Sequence, residues 1–207
     1  MEKFQLKGAP TCRVAYVQGL FEKRKVKGME DGKEKYNAFV LVPKDDKEKV
    51  EQLLTEFNAA FAELQKKGFR GKTVKAINPK NNCLVDGDEY ADEKDGREAF
   101  RGYYIIKVSS PQFRPLVVDM QKRVITNGIH MPGLSVDNMS DQELHSGDYV
   151  LANLSFWVYN QATFQGIGCN PNAIVKVKDG ETIGGVSTNV DDYIDLSSYD
   201  SEEQTEE

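Results

Sequence analysis

The clearest constraint in this sequence is the run from Tyr149 to Tyr159, where two side-chain populations alternate without a fault. Val150, Ala152, Leu154, Phe156 and Val158 form one set, all apolar; Tyr149, Leu151, Asn153, Ser155, Trp157 and Tyr159 form the other. Side chains of an extended strand point to opposite faces with period two, so the first set is a core row and the second an outward row. A merely solvated face would not hold two tyrosines and the only tryptophan. Gly166 and Gly168 are expected to interrupt the chain, and a further strand is expected from Ala173 to Lys178. In that strand Ile174, Lys176 and Lys178 alternate with Ala173, Val175 and Val177, which puts two lysines on one face. Rings beside lysines are the composition of a single-stranded nucleic-acid platform, with stacking for bases and charge for phosphates.

The rest of the chain has the same mostly β character. Thr11 to Val17 reads as a strand with Cys12, Val14 and Tyr16 on one face and Thr11, Arg13 and Ala15 on the other. Tyr36 to Val42, closed by Pro43, reads as the next. Gly102 to Val108 places Tyr104, Ile106 and Val108 inward and Tyr103, Ile105 and Lys107 outward; Leu116 to Val118 is shorter. One helix stands out. Asp45 with Glu48 three residues on predicts a capping box, and Val50, Leu53, Leu54, Phe57, Phe61 and Leu64 make one apolar stripe. Lys66 and Lys67 suit the negative end of the helix dipole, and Gly68 provides the stop. Such a stripe is core, expected to close one end of a small barrel.

Charge is distributed unevenly. The 207 residues carry a net −6, but from Asp179 onward there are ten acids and no Lys or Arg. The 33 acids less those ten leave 23 against 27 basic residues, so the preceding body carries +4. Between Glu63 and Asp86 no acid occurs, while Lys66, Lys67, Arg70, Lys72, Lys75 and Lys80 do, which reads either as a basic arm guiding a polyanion or as a solvated loop. The connection over residues 22–35, with Lys23, Arg24, Lys25 and Lys27, reads either as a phosphate-contacting rim or as a solvated hairpin. From Asp191 the chain has too little apolar surface to fold alone and reads as a flexible acidic tail. Asp86 to Asp95 lacks the ligand order of a calcium loop and reads as a solvated insertion. No pair of Cys12, Cys83 and Cys169 has zinc spacing, and His130 and His145 have no partner arrangement for catalysis; neither a metal, a cofactor nor an enzymatic activity is expected. No apolar run approaches the ~20 residues of a membrane span, and the first residues hold no hydrophobic signal core, which leaves a reduced cytoplasmic setting.

The segments GDYVLANLSFWVYN and GIGCNPNAIVKVKDGETIGG, followed by the acidic tail, together resemble phage-encoded single-stranded-DNA-binding proteins. TCRVAYVQGLFE, KYNAFVLVPKDDK leading into the helix, RGYYIIKVSS and RPLVVD extend the resemblance over most of the chain. The resemblance implies an elaborated OB-fold barrel of about five core strands over 1–190, with one capped helix and long loops, and an acidic tail over 191–207. It implies sequence-independent binding of single-stranded DNA in phage replication and recombination, in the host cytoplasm, with a homodimer as the usual assembly. The tail acids Asp191, Asp192, Asp195, Asp200, Glu202, Glu203, Glu206 and Glu207 are then expected to dock replication proteins: a polymerase, helicase, primase or nuclease. The chain departs from acidic-tailed relatives in ending on Gln204, Thr205, Glu206 and Glu207, without an aromatic anchor.

Strand alternation, not the resemblance, selects the site. Tyr103, Tyr149, Trp157 and Tyr159 are expected to stack on bases. Arg13, Lys107, Arg114, Lys176 and Lys178 are expected to line the phosphates, helped by the segment from Lys66 to Lys75. The competing reading is a phage structural or assembly barrel whose aromatic face meets protein.

Overall fold

A computed structural model describes residues 3–25, 33–68, 73–75, 77–78, 81–93, 95–160 and 165–183. Its strands are β1 (Phe4–Gln5), β2 (Arg13–Ala15), β3 (Tyr36–Pro43), β4 (Leu84–Asp86), β5 (Tyr103–Ser110), β6 (Leu116–Val118), β7 (Tyr149–Asn160) and β8 (Gln165–Lys178). The helices are α1 (Gln18–Phe21), α2 (Lys47–Lys67) and α3 (Gly87–Asp92).

Five strands close on themselves. β2 pairs antiparallel with β3, and β3 with β5. β5 runs parallel to β8 through Val108 and Cys169, β8 returns antiparallel along β7, and β7 meets β2 at Tyr149 and Arg13. Closure removes the free edges an open sheet would expose, and this closed five-stranded barrel is an OB fold. β1, β4 and β6 are additions on β7, β5 and β8. The interior is filled by the inward row of each strand, including Val14, Val40, Ile106, Val108, Leu154, Phe156, Cys169 and Ile174.

Gly166 and Gly168 do not break the chain as the sequence suggested; they lie inside the fourteen-residue β8. Register explains their presence. Trp157 pairs with Gly168 and Tyr159 with Gly166. A Cβ at Gly168 would come within 2.5 Å of the Trp157 indole, and one at Gly166 would run into the Tyr159 hydroxyl and the Asn81 carbonyl. The glycines are seats for two rings.

α2 begins one residue later than the capping box predicted. Asp46, not Asp45, is the N-cap and accepts from the Lys49 backbone. Its carboxylate also takes the Thr11 hydroxyl at 2.5 Å and Lys49 Nζ at 2.8 Å. Those two partners select Asp46: Lys49 is buried, and a buried ammonium needs a carboxylate. The stripe lies as expected, with Leu53 and Leu64 buried and Phe57 edge-on to Phe156 at 5.7 Å. Gly68 caps the end.

A second, smaller core lies outside the barrel wall. Ala15, Leu41 and Ile105, outward residues of β2, β3 and β5, pack with Phe100 and Ile183. α3 helps to cover this layer, so the acidic stretch from Asp86 is not a solvated insertion. Asp86 caps α3 through the Asp88 backbone, and Lys44 binds Asp86 and Asp88 at 2.6 Å each. These carboxylates were legible as charge, whereas their lysine lies more than forty residues away in sequence.

The Asp46 carboxyl is held down at about 2 by Lys49 and then Thr11, against an ordinary value of 3.8. A depressed folded-state value gives stabilisation that is complete above the ordinary value and lost as pH falls toward 2. Asp46→Ala should lower stability by about 3–5 kcal/mol at neutral pH by stranding Lys49. In urea denaturation the gap between parent and variant should narrow on acidification from pH 4 to pH 2; a gap independent of pH would refute the pairing.

Candidate nucleic-acid interface

The registers align one row of outward residues across the barrel wall. Trp157 pairs with Gly168, Lys107 with Phe39, and Phe39 with Ala15. Gly168 and Lys107 each precede a member of the Cys169–Val108 bridge and so share its opposite face. The row therefore reads Trp157, Gly168, Lys107, Phe39 and Ala15, and at about 4.8 Å per strand Trp157 and Phe39 stand roughly 14 Å apart along the sheet.

One end of the row is aromatic. Trp157 rests on Gly168, and its ring lies 5.2 Å from that of Tyr159. Tyr159 donates to the Asn81 carbonyl at 2.8 Å, and burial raises its pKa. Trp157 Nε1 is buried without a hydrogen-bond partner. The centre is Lys107, half-buried, with its pKa lowered first by burial; Glu93 opposes the shift and Arg97 adds to it. A poorly hydrated ammonium gains from a phosphate more than one in bulk water does. At the rim, Lys23 lies over the Tyr36 ring at 5.6 Å. Arg114 lies over Phe21 at 5.5 Å, half-buried, its pKa lowered by burial, with Nη2 lacking a partner.

Several residues selected by alternation lie elsewhere. Tyr149 sits eight residues along β7 from Trp157, roughly 27 Å at 3.4 Å per residue. Arg13 and Lys178 approach its ring at 5.2 and 4.3 Å. Arg13 is 8 % exposed, donating from Nε to the Gly147 carbonyl at 2.7 Å and from a terminal nitrogen to the Glu181 carbonyl. Lys176 is 5 % exposed and bound to Asp148 at 3.0 Å, Asp179 at 2.6 Å and the Glu143 carbonyl at 2.5 Å. Lys176 pairs with Val150, an inward position, so its row faces the core rather than the platform. Arg13 and Lys176, expected at phosphates, are thus held in this structure as interior fastenings. Tyr103 pairs with Pro43, four residues along β5 from Lys107, and packs on the second core, as Ala15 and Phe39 of the row also do. Lys66 and Lys67 end α2, where Lys67 is paired with Glu63 at 2.6 Å, and Lys75 is exposed. Arg70, Lys72, Lys80 and the tail acids lie outside the described residues.

Phe39 was missed. β3 is apolar on both faces, Ala38, Val40 and Val42 against Phe39 and Leu41, so alternation alone does not say which face is outward. Its pairing with Lys107 does.

A closed OB barrel bearing rings on either side of a lysine, with a basic connection at the rim, defines the class of barrels that hold single-stranded polyanions. The family model of the Enterobacter phage Enc34 ssDNA-binding protein matches residues 8–206, and the chain belongs to that family of phage single-stranded-DNA-binding proteins. The bacteriophage Enc34 single-stranded DNA-binding protein in complex with ssDNA is 24 % identical, with a TM-score of 0.59 over 84 % of this chain and 86 % of that one. Another structure of the Enc34 protein aligns over 97 % of this chain and 100 % of that one at 20 % identity and a TM-score of 0.59. Gp2.5, a single-stranded DNA binding protein encoded by bacteriophage T7, covers 95 % of this chain and 96 % of its own at 12 % identity and a TM-score of 0.54. At these identities the likeness is one of fold. No curated protein matches the sequence.

Gly168→Val should push the indole off β8. The emission maximum of the single tryptophan is expected to move to longer wavelength, read by fluorescence of the free protein. An unchanged maximum would mean that the ring does not rest on Gly168.

Proposed function

We propose that this chain binds single-stranded DNA without sequence preference across the Trp157–Lys107–Phe39 row. The observation that carries the proposal is the row itself: rings at its ends and a half-buried lysine at its centre, on the outer wall of a closed barrel. The Enc34 relative captured with ssDNA supports it. Bases stack on Trp157, Tyr159 and Phe39, each stack contributing about 1–3 kcal/mol. Phosphates meet Lys107, with Arg114, Lys178 and the segment from Lys66 to Lys75 adding charge at the rim. Binding is the whole activity; no bond is made or broken. The protein coats exposed strands during phage replication and recombination in the host cytoplasm.

The tail supplies the second half of the proposal. Residues 1–190 act as the binding domain, and 191–207 as a tethered polyanion with eight acids in seventeen residues. Tethering gives the tail a high effective concentration at the groove, where it competes with DNA for the same cations. Displaced by DNA, it becomes available to a polymerase, helicase, primase or nuclease.

Mobility shifts with single- and double-stranded oligonucleotides, with and without magnesium, test the core of this. The expected result is a shift of the single strand, no cleavage, and quenching of Trp157 emission by oligothymidine. Trp157→Ala should weaken binding by about 1–3 kcal/mol. A folded protein that leaves the single strand unshifted would make the face a protein interface instead. Deleting 191–207 should tighten binding most at low salt, where exposed charges are least screened; equal affinities at low ionic strength would show that the tail does not occupy the groove.

A further inference from the structure

Alternation along Thr11 to Val17 puts Tyr16 inward beside Cys12 and Val14. The structure does the opposite. Tyr16 has φ 57°, a left-handed conformation that is unfavourable for an L-residue with a Cβ. The reversal takes the ring out of the barrel to the outer wall, where it is 40 % exposed. The strained backbone is held from both sides: Tyr16 N–H donates to Ser146 Oγ at 2.9 Å, and its carbonyl accepts from Gly19 N–H at 3.3 Å as α1 begins. Residues held in such conformations cluster at functional sites, where the surrounding structure fixes them.

The ring's surroundings suit presentation. It lies near-parallel to Phe100, 5.9 Å away at 23°, and edge-on to Phe39, 4.9 Å away at 89°. Phe100 is fully buried, so Tyr16 is backed by a fixed aromatic floor while part of its surface remains open to solvent. The position continues the row already described. Ala15 pairs with Phe39 and Phe39 with Lys107, so Tyr16 stands just beyond the β2 end, where the chain leaves through α1 for the basic connection.

We propose that Tyr16 is a second base-stacking platform, at the end of the row opposite Trp157, its left-handed backbone being the device that presents it. This rests on the single-stranded-DNA reading above and extends it. The strand crosses the barrel wall from Trp157 over Lys107 to Phe39 and Tyr16, four strand spacings or roughly 19 Å. Oligonucleotides too short to span both ends engage only one of them.

Tyr16→Asn is the direct test, because asparagine tolerates the left-handed region and so removes the ring while keeping the backbone. Affinity for an oligothymidine long enough to saturate the parent should fall roughly 5- to 150-fold. The deficit should shrink as the oligonucleotide is shortened below the span. Tyr16→Trp combined with Trp157→Phe moves the only indole to position 16 while leaving a ring at each end. Oligothymidine should quench that reporter, and this measurement decides the matter should the asparagine variant fail to fold. A parent that binds, with an asparagine variant of equal affinity or an unquenched reporter at position 16, overturns the role of Tyr16 and leaves the DNA reading standing. A folded parent that does not bind oligothymidine overturns both.

Discussion

The structure depends on closure of the sheet where β7 meets β2. Only Arg13 and Tyr149 pair as partners there, and backbone bonds from Val14 to Asp148, from Gly147 to Val14 and from Val150 to Cys12 complete the seam. Charge fastens what so short a ladder cannot. Arg13 reaches across to the Gly147 and Glu181 carbonyls, and Lys176 ties Asp148 to Asp179. Burial works against the charge of Lys176, but its hydrogen bonds to Asp179 and Asp148 outweigh that and raise its pKa. Breaking a buried pair by removing one partner is strongly destabilising, which ties Lys176 to its two carboxylates.

Lys107 shows the same residue type in the contrary setting. Burial dominates its pKa, which falls below the ordinary value. One lysine is satisfied by the protein, while the other, half-buried on the outer wall, has its charge disfavoured first by burial. That contrast distinguishes the two lysines better than any count of basic residues. It also reconciles an acidic chain with an anionic ligand, because the surplus of acids lies from Asp179 onward and the preceding body is basic.

The second core gives the barrel wall its asymmetry. α3, Phe100 and Ile183 cover Leu41 and Ile105, so the lower part of β3 and β5 is occupied by protein. The row through Lys107 and Trp157 lies beyond that cover, and half-buried Phe39 borders it, packed against Tyr90 and Phe100. Ile183 belongs to that covering layer, and its backbone bonds to Ser146, whose hydroxyl takes the Tyr16 amide. The segment that leads to the acidic tail is thus pinned beside the Phe39–Tyr16 end of the row, opposite Trp157.

Periodicity is a local property, and what it encodes was legible without a structure: the core row of β7, the strands around Val40 and Ile106, the stripe and glycine stop of α2. Family membership was legible too, in the run from Gly147 to Gly185 and the strands before it. The inward set of each strand is chosen by burial, and burial acts on every alternate residue alike. Tertiary structure decided the rest, because it depends on partners distant in sequence. Trp157 needs Gly168 beneath it, Lys176 faces inward because Val150 is its neighbour, and Asp46 is the cap because Thr11 and Lys49 converge on it. Tyr16 lies outside because one backbone angle reverses the alternation, and a single-residue reversal leaves no trace in a period-two pattern.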